Sequence, residues 1–598
     1  MRIAVAVLAA LVVAVAPVRA AEPDPFASGL RYVTVSDGTS IAVNVQYPAG
    51  YQPGDRLPTI IQIDGYDGAT GPDNPARYGD RYVAVAMSLR GTGCSGGSFN
   101  LFDRRSSQDG YEVIEWIARQ SWSNGDVAIW GHSYSGITGW LVASTRPPSL
   151  RAMSVSGLID DLYRGIVYMG GVANLGFPAL WTGVVRPAID VGTGTAPQVV
   201  AGDLQCTLNA ATRPAPDLLQ NPVIQGGSLE DSPWFAERAL TTYLDAIDVP
   251  IHIVQAYQDE QTGPRGSQLL YQRLDELKPD LPKRLVLTNG VHSTHTTRVI
   301  QLDRVRFLDN FLVAPNGIVD EPRVRVWLET HQGEDPTRPG TTTLVPNGMI
   351  DDPSWPLAST DWTRLWFGAG GSLSPDPAVA TGAPDPFIAG TKRTGTFVFF
   401  TPTLLGELTT AAGPDHVDYV TAPFAEPVAV VGPINVELHL SSLGVDTEVY
   451  VELSDRYPDG REVRLQRGML KASHREVDES RSDYTADGEL YRAHRPHTNT
   501  LLNLLTPGQP TQLDIEVFAL GHVFRPGHQL VVRVTSPPAV DSLAAYVPTT
   551  VPTLNQVHHA GAAQSSILLP VVPVPDGLGP EVPCGLQVGL ERCVQPAG

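Results

Sequence analysis

A mostly parallel α/β sheet domain carrying an inserted helical segment, followed by an all-β domain, is the architecture this 598-residue sequence predicts. Three observations predict it. Short apolar runs alternate with helical patterns over the first 157 residues. A Gly- and Pro-rich stretch then breaks that rhythm, which resumes near residue 250. Beyond residue 320 the helical patterns give way to short strands separated by turn signals.

The elements follow in order. Leu57–Ile63 is an apolar run that ends in Asp64-Gly65-Tyr66-Asp67-Gly68. Tyr82–Met87 is another, ending in Leu89-Arg90-Gly91-Thr92-Gly93. Asp109–Gln120 places Tyr111, Val113, Ile114, Trp116 and Ile117 at helical spacing. Asp126–Trp130 and Leu150–Val155 read as buried strands flanking a helix at Ile137–Thr145. Runs of this kind, apolar on both faces, belong to parallel sheets covered by helices on each side. Leu158 to about Leu244 reads as a helical insertion, after which Ile251–Ala256 and Arg284–Thr288 restore the strand pattern and Asp303–Phe311 closes with a helix. Arg323–Leu328, Thr363–Phe367, Gly395–Phe400, Ile434–Leu440, Glu448–Leu453, Gln512–Phe518 and Leu530–Val534 are short strands with turns such as Pro458-Asp459-Gly460 between them, the pattern of a jelly roll. The Pro-rich tail from Pro570 is expected to be loosely attached. The resulting division is 1–20 leader, 21–157 with 245–320 sheet domain, 158–244 cap, 321–575 jelly roll and 576–598 tail.

Lys plus Arg number 42 and Asp plus Glu 63, a net charge of −21 that repels phosphate backbones and excludes nucleic acid as a natural partner. Arg2, the apolar run Ile3–Pro17 and Val18-Arg19-Ala20 have the form of a signal peptide cleaved after Ala20, so the protein is expected to be secreted. No later segment has about 18 uninterrupted apolar residues, so the mature form is expected to lack a membrane span. Nothing in the sequence specifies an oligomeric state. Export permits disulfides. The four cysteines, Cys94, Cys206, Cys584 and Cys593, allow three connectivities; Cys584–Cys593 closes the shortest loop, which leaves Cys94–Cys206. No H-E-x-x-H, C-x-x-C or Gly-rich phosphate loop occurs, so neither metal nor cofactor is implied. His494-Arg495-Pro496-His497 reads as an exposed loop.

The chemistry concentrates at Gly131-His132-Ser133-Tyr134-Ser135-Gly136, between a buried strand and an apolar helix. A nucleophile elbow needs that context: a sharp strand-to-helix turn lifts the serine oxygen above the sheet edge, and the helix points its first amides at the site. The elbow therefore specifies an α/β-hydrolase fold, with Ser133 as nucleophile and the Tyr134 amide as an oxyanion donor. A serine hydroxyl needs a base to take its proton. In this fold the acid and the histidine follow in that order. Asp259, after the strand Ile251–Ala256, and His292, after Arg284–Thr288, stand where the carboxyl-end loops of a parallel sheet lie. Glu260 and His295 are their neighbouring rivals. The second G-x-S-x-G glycine is displaced to Gly136, with Ser135 in its place.

Together these segments resemble the CocE/NonD family of serine hydrolases, whose members include cocaine esterase, α-amino acid ester hydrolases, glutaryl acylases and bacterial X-Pro dipeptidyl-peptidases. Arg90-Gly91-Thr92-Gly93-Cys94-Ser95-Gly96-Gly97 is similar to the family's R-G-x-G-x-S-x-G, and Gly131, Ser133, Tyr134 and Gly136 fit its G-x-S-Y-x-G, which accounts for the displaced glycine. Asp109-Gly110-Tyr111, Glu115-Trp116-Ile117, Gln120-Ser121-Trp122, Asp161-Leu162-Tyr163-Arg164, Glu448–Asp459 and His522–His528 look like further family segments. The resemblance implies a triad of Ser133, Asp259 and His292, with Tyr66 joining the Tyr134 amide in the oxyanion hole.

Family members that select a free α-amino group carry a carboxylate cluster, which in the amino acid ester hydrolases lies partly just after the acid as an Asp-x-Glu-Asp pattern. Here Asp259-Glu260-Gln261-Thr262 departs from it, and Asp160 or Asp161 supplies at most one carboxylate. Burying an ammonium without compensation is costly. The expected activity is therefore hydrolysis of an ester or amide on a small-molecule or peptide acyl substrate. X-Pro dipeptidyl-peptidase and α-amino acid ester hydrolase are the alternatives, and a non-catalytic secreted binding protein is the remote one.

Overall fold

The computed structural model describes residues 27–66, 68–69, 73–214, 230–390, 414–538, 541–547, 549–590 and 593–594. The leader at 1–20 and the expected strand at 395–400 lie outside them.

The first sheet runs β1 (Gly29–Thr34), β2 (Ser40–Gln46), β4 (Val83–Ser88), β3 (Leu57–Asp64), β5 (Ser123–His132), β6 (Leu150–Ser156), β7 (Ile251–Ala256), β8 (Lys283–Thr288), β9 (Val324–Leu328) and a final strand Gly348–Asp352. From β4 through β9 every neighbouring pair is parallel; β1, β2 and Gly348–Asp352 are antiparallel edges. All residues of β4, β7 and β8 are buried, as expected of strands covered on both faces. Helix α1 (Arg104–Ala118) starts five residues before the apolar pattern does, because the Asp103 carboxylate caps the Ser106 amide. Helix α2 (Tyr134–Ala143) is buried along its whole length and packs between β5, β3 and β6.

Register brings the chemistry to one edge. His132 at the end of β5 pairs with Ser156 at the end of β6, Ser156 with Val254 of β7, and Ala256 of β7 with Thr288 of β8. The loops carrying Ser133, Asp259 and His292 thus leave the carboxyl ends of adjacent strands, where open α/β sheets bind ligands.

The expectation that Arg323–Leu328 opens the all-β half is corrected: Val324–Leu328 pairs in parallel with β8 and extends the first sheet. Its side chains Val324, Val326 and Leu328 are buried in the same core as β7 and β8. An isolated apolar run does not reveal which sheet it joins. The second sheet closes into a ring: Val428–Ser442, Thr511–Phe524, Glu462–Lys471, Glu448–Arg456, Gln529–Thr535, His416–Thr421, Ser372–Ser374, Asp361–Gly368, Ser566–Val572 and back to Val428–Ser442. Closure removes the unpaired edges that an open sheet exposes. The tail also differs from expectation. Pro570 lies in the last strand of this ring, Val582 is buried, and Val588 donates its N–H to the Thr330 carbonyl at 2.9 Å. Likewise His494–His497 is not an exposed loop: Arg495 and His497 are buried. The Arg164 guanidinium donates to the Arg495 carbonyl, Arg495 itself donates to the Arg475 and Asp514 carbonyls, and the His497 and His474 Nδ1 atoms lie 3.0 Å apart. Backbone carbonyls satisfy the buried cation, so no neighbouring acid in sequence betrays its burial.

Two arrangements hold the halves of the site together. The cap is tied to the loop after β4: the Cys94–Cys206 disulfide, the Asn209 amide donating to the Cys94 carbonyl at 2.8 Å, and Arg213 donating to the Gly93 carbonyl at 2.7 Å. The β ring braces the loop after β7. Gln466 donates to the Tyr257 carbonyl at 2.8 Å, Gln258 donates to the Leu465 carbonyl at 3.2 Å, and the Arg265 guanidinium pairs with Glu516 at 3.0 Å. The Cys94–Cys206 bridge spans 112 residues, so it removes much chain entropy from the unfolded state. Replacing both cysteines by Ser is expected to cost about 2–4 kcal/mol, read as an earlier thermal unfolding transition than the unsubstituted oxidised protein; an unchanged transition would contradict a clamping role for the bridge.

Candidate active site

Ser133 occupies the turn between β5 and α2 with φ 59° and ψ −126°, a left-handed conformation that costs a non-glycine residue about 1–3 kcal/mol. The surroundings enforce it. Ser133 donates its N–H to the Ser156 carbonyl at 2.8 Å. Ser135, which stands where the common pattern has glycine, clamps the turn: its hydroxyl donates to the His132 carbonyl and accepts from the His132 amide, both at 2.9 Å. Both flanking glycines are required by close approach. A Cβ on Gly131 would sit 2.3 Å from the Ser135 carbonyl oxygen, and one on Gly136 would sit 2.8 Å from that of Ser156. Ser156 thus explains sterically why the second glycine comes one position late.

Beneath the turn lies Arg304, buried and invisible to motif reading. It donates to the Gly131 carbonyl at 2.7 Å, the Ser154 carbonyl at 2.8 Å and the Ser154 hydroxyl at 2.9 Å, with its guanidinium 3.8 Å from the Trp130 ring. It staples the ends of β5 and β6 together. Burial pushes its pKa down to about 9.

Asp259 and His292 meet as the sequence order anticipated. The His292 Nδ1 lies 3.0 Å from both Asp259 carboxylate oxygens. Asp259 also accepts the Gln261 and Thr262 amides at 3.0 Å and the Thr262 hydroxyl at 2.8 Å. Burial alone would raise its pKa, but His292, His295 and these donors hold it well below the usual carboxylate range. For His292, burial opposes the charged ring, yet the Asp259 carboxylate outweighs it, with Glu260 adding to the effect, and the pKa is raised above 6.5. The two sequence rivals have other tasks. Glu260 accepts the His292 backbone N–H at 3.0 Å and fixes that loop. His295 accepts the Ala256 N–H at Nε2, 2.8 Å away, and burial drives its pKa down to about 3, so it stays neutral. His132 packs its ring on His292 with centroids 4.6 Å apart, which sets the imidazole beside the elbow.

Tyr134 is the first residue of α2, where a helix leaves its N–H without an intrahelical acceptor. Tyr66 faces the same cavity as Ser133. Its N–H is anchored on the Asp64 carboxylate at 2.9 Å, and its hydroxyl accepts the Trp181 indole N–H at 2.6 Å. Burial pushes the phenol up to about 12, so it is a neutral donor.

The cavity over Ser133 is small, about 50 Å³, and opens to solvent. Its walls are Leu101, Phe102, Ile159, Leu162, Phe177 and Trp181 among others; among the described residues no Asp or Glu lines it. Along the segment after β6 the side chains divide: Ile159 and Leu162 face this cavity, whereas Asp160 and Asp161 line a separate polar one with Arg164 and Arg265. Asp160 and Asp161 are paired with Arg265 and Arg164. The arrangement brings together a hydroxyl at a strained turn, a carboxylate-held imidazole, the N-terminal amide of α2, the Tyr66 phenol and an apolar cavity.

Residues 37–294 match the X-Pro dipeptidyl-peptidase (S15 family) and residues 316–568 the X-Pro dipeptidyl-peptidase C-terminal non-catalytic domain. The chain is 26% identical to cocaine esterase of Rhodococcus sp. (strain MB1 Bresler), over 90% of this chain and 97% of that one. Among solved structures it is similar in fold to a CocE/NonD family hydrolase from Staphylococcus aureus, with a TM-score of 0.69, 20% identity and coverage of 91% and 93%. An α-amino acid ester hydrolase has a TM-score of 0.66, 19% identity and coverage of 93% and 100%.

A base must be neutral to accept a proton, so the rate carried by His292 is present above its pKa and lost as pH falls through it. The acid limb of the kcat/KM profile is expected to have its midpoint above pH 6.5. Asp259→Asn is expected to lower kcat by about 10⁴-fold and to move any residual limb to lower pH; a limb that stays in place would show that Asp259 does not set the imidazole's charge.

Proposed function

We propose, for a chain that belongs to the CocE/NonD and X-Pro dipeptidyl-peptidase-like family of serine hydrolases, that this enzyme is an exported esterase that takes an apolar acyl group through an acyl-enzyme on Ser133. The observation that carries the choice of substrate is the composition of the cavity over Ser133. An α-ammonium bound there needs a carboxylate, because desolvating an unpaired ammonium costs several kcal/mol. The carboxylates near in sequence, Asp160 and Asp161, face away and are already paired with Arg265 and Arg164. A hydrocarbon or aryl acyl group instead gains from leaving water, at roughly 25 cal/mol per Å² of apolar surface buried.

The Ser133 hydroxyl attacks the ester carbonyl while His292 takes its proton at the nitrogen opposite the Asp259 bond. The positive imidazolium is stabilised by the Asp259 carboxylate, which stays ionised. Negative charge develops on the carbonyl oxygen and is met by the Tyr66 hydroxyl and the Tyr134 N–H. Collapse expels the alcohol, which takes the proton from His292. Water, deprotonated by the same histidine, then attacks the acyl-enzyme and frees the acid and Ser133. The signal-like leader at 1–20 and the disulfides support export to an oxidising compartment.

Initial rates on p-nitrophenyl esters of short and aryl acids, set against Gly-Pro-p-nitroanilide, test this reading. Ester turnover is expected to dominate, and Ser133→Ala is expected to lower it by about 10⁴-fold or more. Preferential release from Gly-Pro would overturn the substrate assignment and require an ammonium site within reach of Ser133.

A further inference from the structure

Tyr66 stands on the sheet edge and Trp181 on the cap, in a helical run over residues 177–200. Their rings meet edge to face with centroids 6.0 Å apart, and the indole N–H donates to the phenolic oxygen at 2.6 Å. An indole nitrogen can only donate. A phenol that accepts this bond therefore keeps its own hydrogen for a different acceptor, and the cavity shared with Ser133 is where that acceptor would form. A hydroxyl oxygen that accepts one hydrogen bond also becomes a stronger donor, because the two bonds polarise one another. The direction agrees with the phenol's acidity: burial raises its pKa, and the Trp181 bond acts against that rise. A ring serving only as a wall would need its shape and no N–H.

We propose that Trp181 is a positioning residue, whose indole N–H orients and polarises the Tyr66 hydroxyl toward the oxyanion at Ser133, so that the oxyanion hole is complete only when the cap is seated. The proposal rests on Tyr66 being an oxyanion donor, as read above. It gives the cap a chemical task beyond shaping the cavity. Phe177 and Pro178, on the same helical run, line the acyl cavity, so an acyl group that fills it presses on the segment that carries the bond. The cap's ties to the loop after β4 through Cys94–Cys206, Asn209 and Arg213 hold that segment in place.

The test is a double-substitution cycle on the full mature chain, with p-nitrophenyl acetate as substrate. Position 181 is changed to Phe and, because Phe could disturb the cap, separately to benzothienylalanine, which keeps the indole's shape and lacks its N–H. Tyr66→Phe is expected to lower kcat by about 10²-fold. Each change at 181 is expected to lower kcat by about 3–10-fold with KM within twofold. Neither is expected to lower it further in the Tyr66→Phe background. A benzothienylalanine enzyme with unchanged kcat, or equal losses in both backgrounds, would overturn the proposal while leaving the Tyr66 assignment standing. An unaffected Tyr66→Phe enzyme would overturn both.

Discussion

The left-handed turn at Ser133 is the constraint on which the rest of the structure depends. It is unfavourable in itself, so the fold must over-determine it. The Ser156 carbonyl, the Ser135 hydroxyl and the space left by Gly131 and Gly136 leave no relaxed alternative. Arg304 then locks the two strands whose ends define the turn. Among the described residues this buried guanidinium pairs with no carboxylate, an expensive arrangement satisfied here by carbonyls, hydroxyls and the face of Trp130. The strained turn at Ser133 is held in place by this buried staple together with the Ser135 hydroxyl.

The second organising feature is electrostatic. Three imidazoles crowd one carboxylate, yet they differ in charge preference. Burial holds the pKa values of His132 and His295 below normal, even though the His295 Nε2 lies 3.6 Å from an Asp259 carboxylate oxygen. Of the three, His292 lies nearest Asp259, its Nδ1 3.0 Å from both carboxylate oxygens, and its pKa rises. The charged state is therefore favoured at His292 and disfavoured at the other two rings. The β ring contributes at a distance, by fixing the loop after β7 through Gln466 and Gln258. Among the described residues the C-terminal domain thus braces the site without lining the cavity over Ser133.

The cavity's chemistry arises from how one segment alternates. After β6, Ile159 and Leu162 turn to the acyl side while Asp160 and Asp161 turn to a polar chamber and pair with arginines. A shift of one residue would put Asp160 in place of Ile159, or Asp161 in place of Leu162, and so bring one carboxylate into the apolar cavity.

The sequence alone determined much of this. Ser133 was legible because strand, sharp turn and helix must be adjacent in the chain. Asp259 and His292 were legible because parallel strands put their following loops at one edge. The two halves were legible because helical and strand periodicities differ. What it left undecided depends on residues far apart in sequence. Val324–Leu328 looks like any short apolar strand until pairing with β8 assigns it to the first sheet. Arg304 and Trp181 carry no motif, since their partners lie more than a hundred residues away. His494–His497 is polar in composition and buried in fact, because carbonyls from other segments satisfy its arginine. Local chemistry and period can be read along a chain. Which buried polar group finds which distant acceptor, and which side of a short loop faces the substrate, is fixed only when the elements pack.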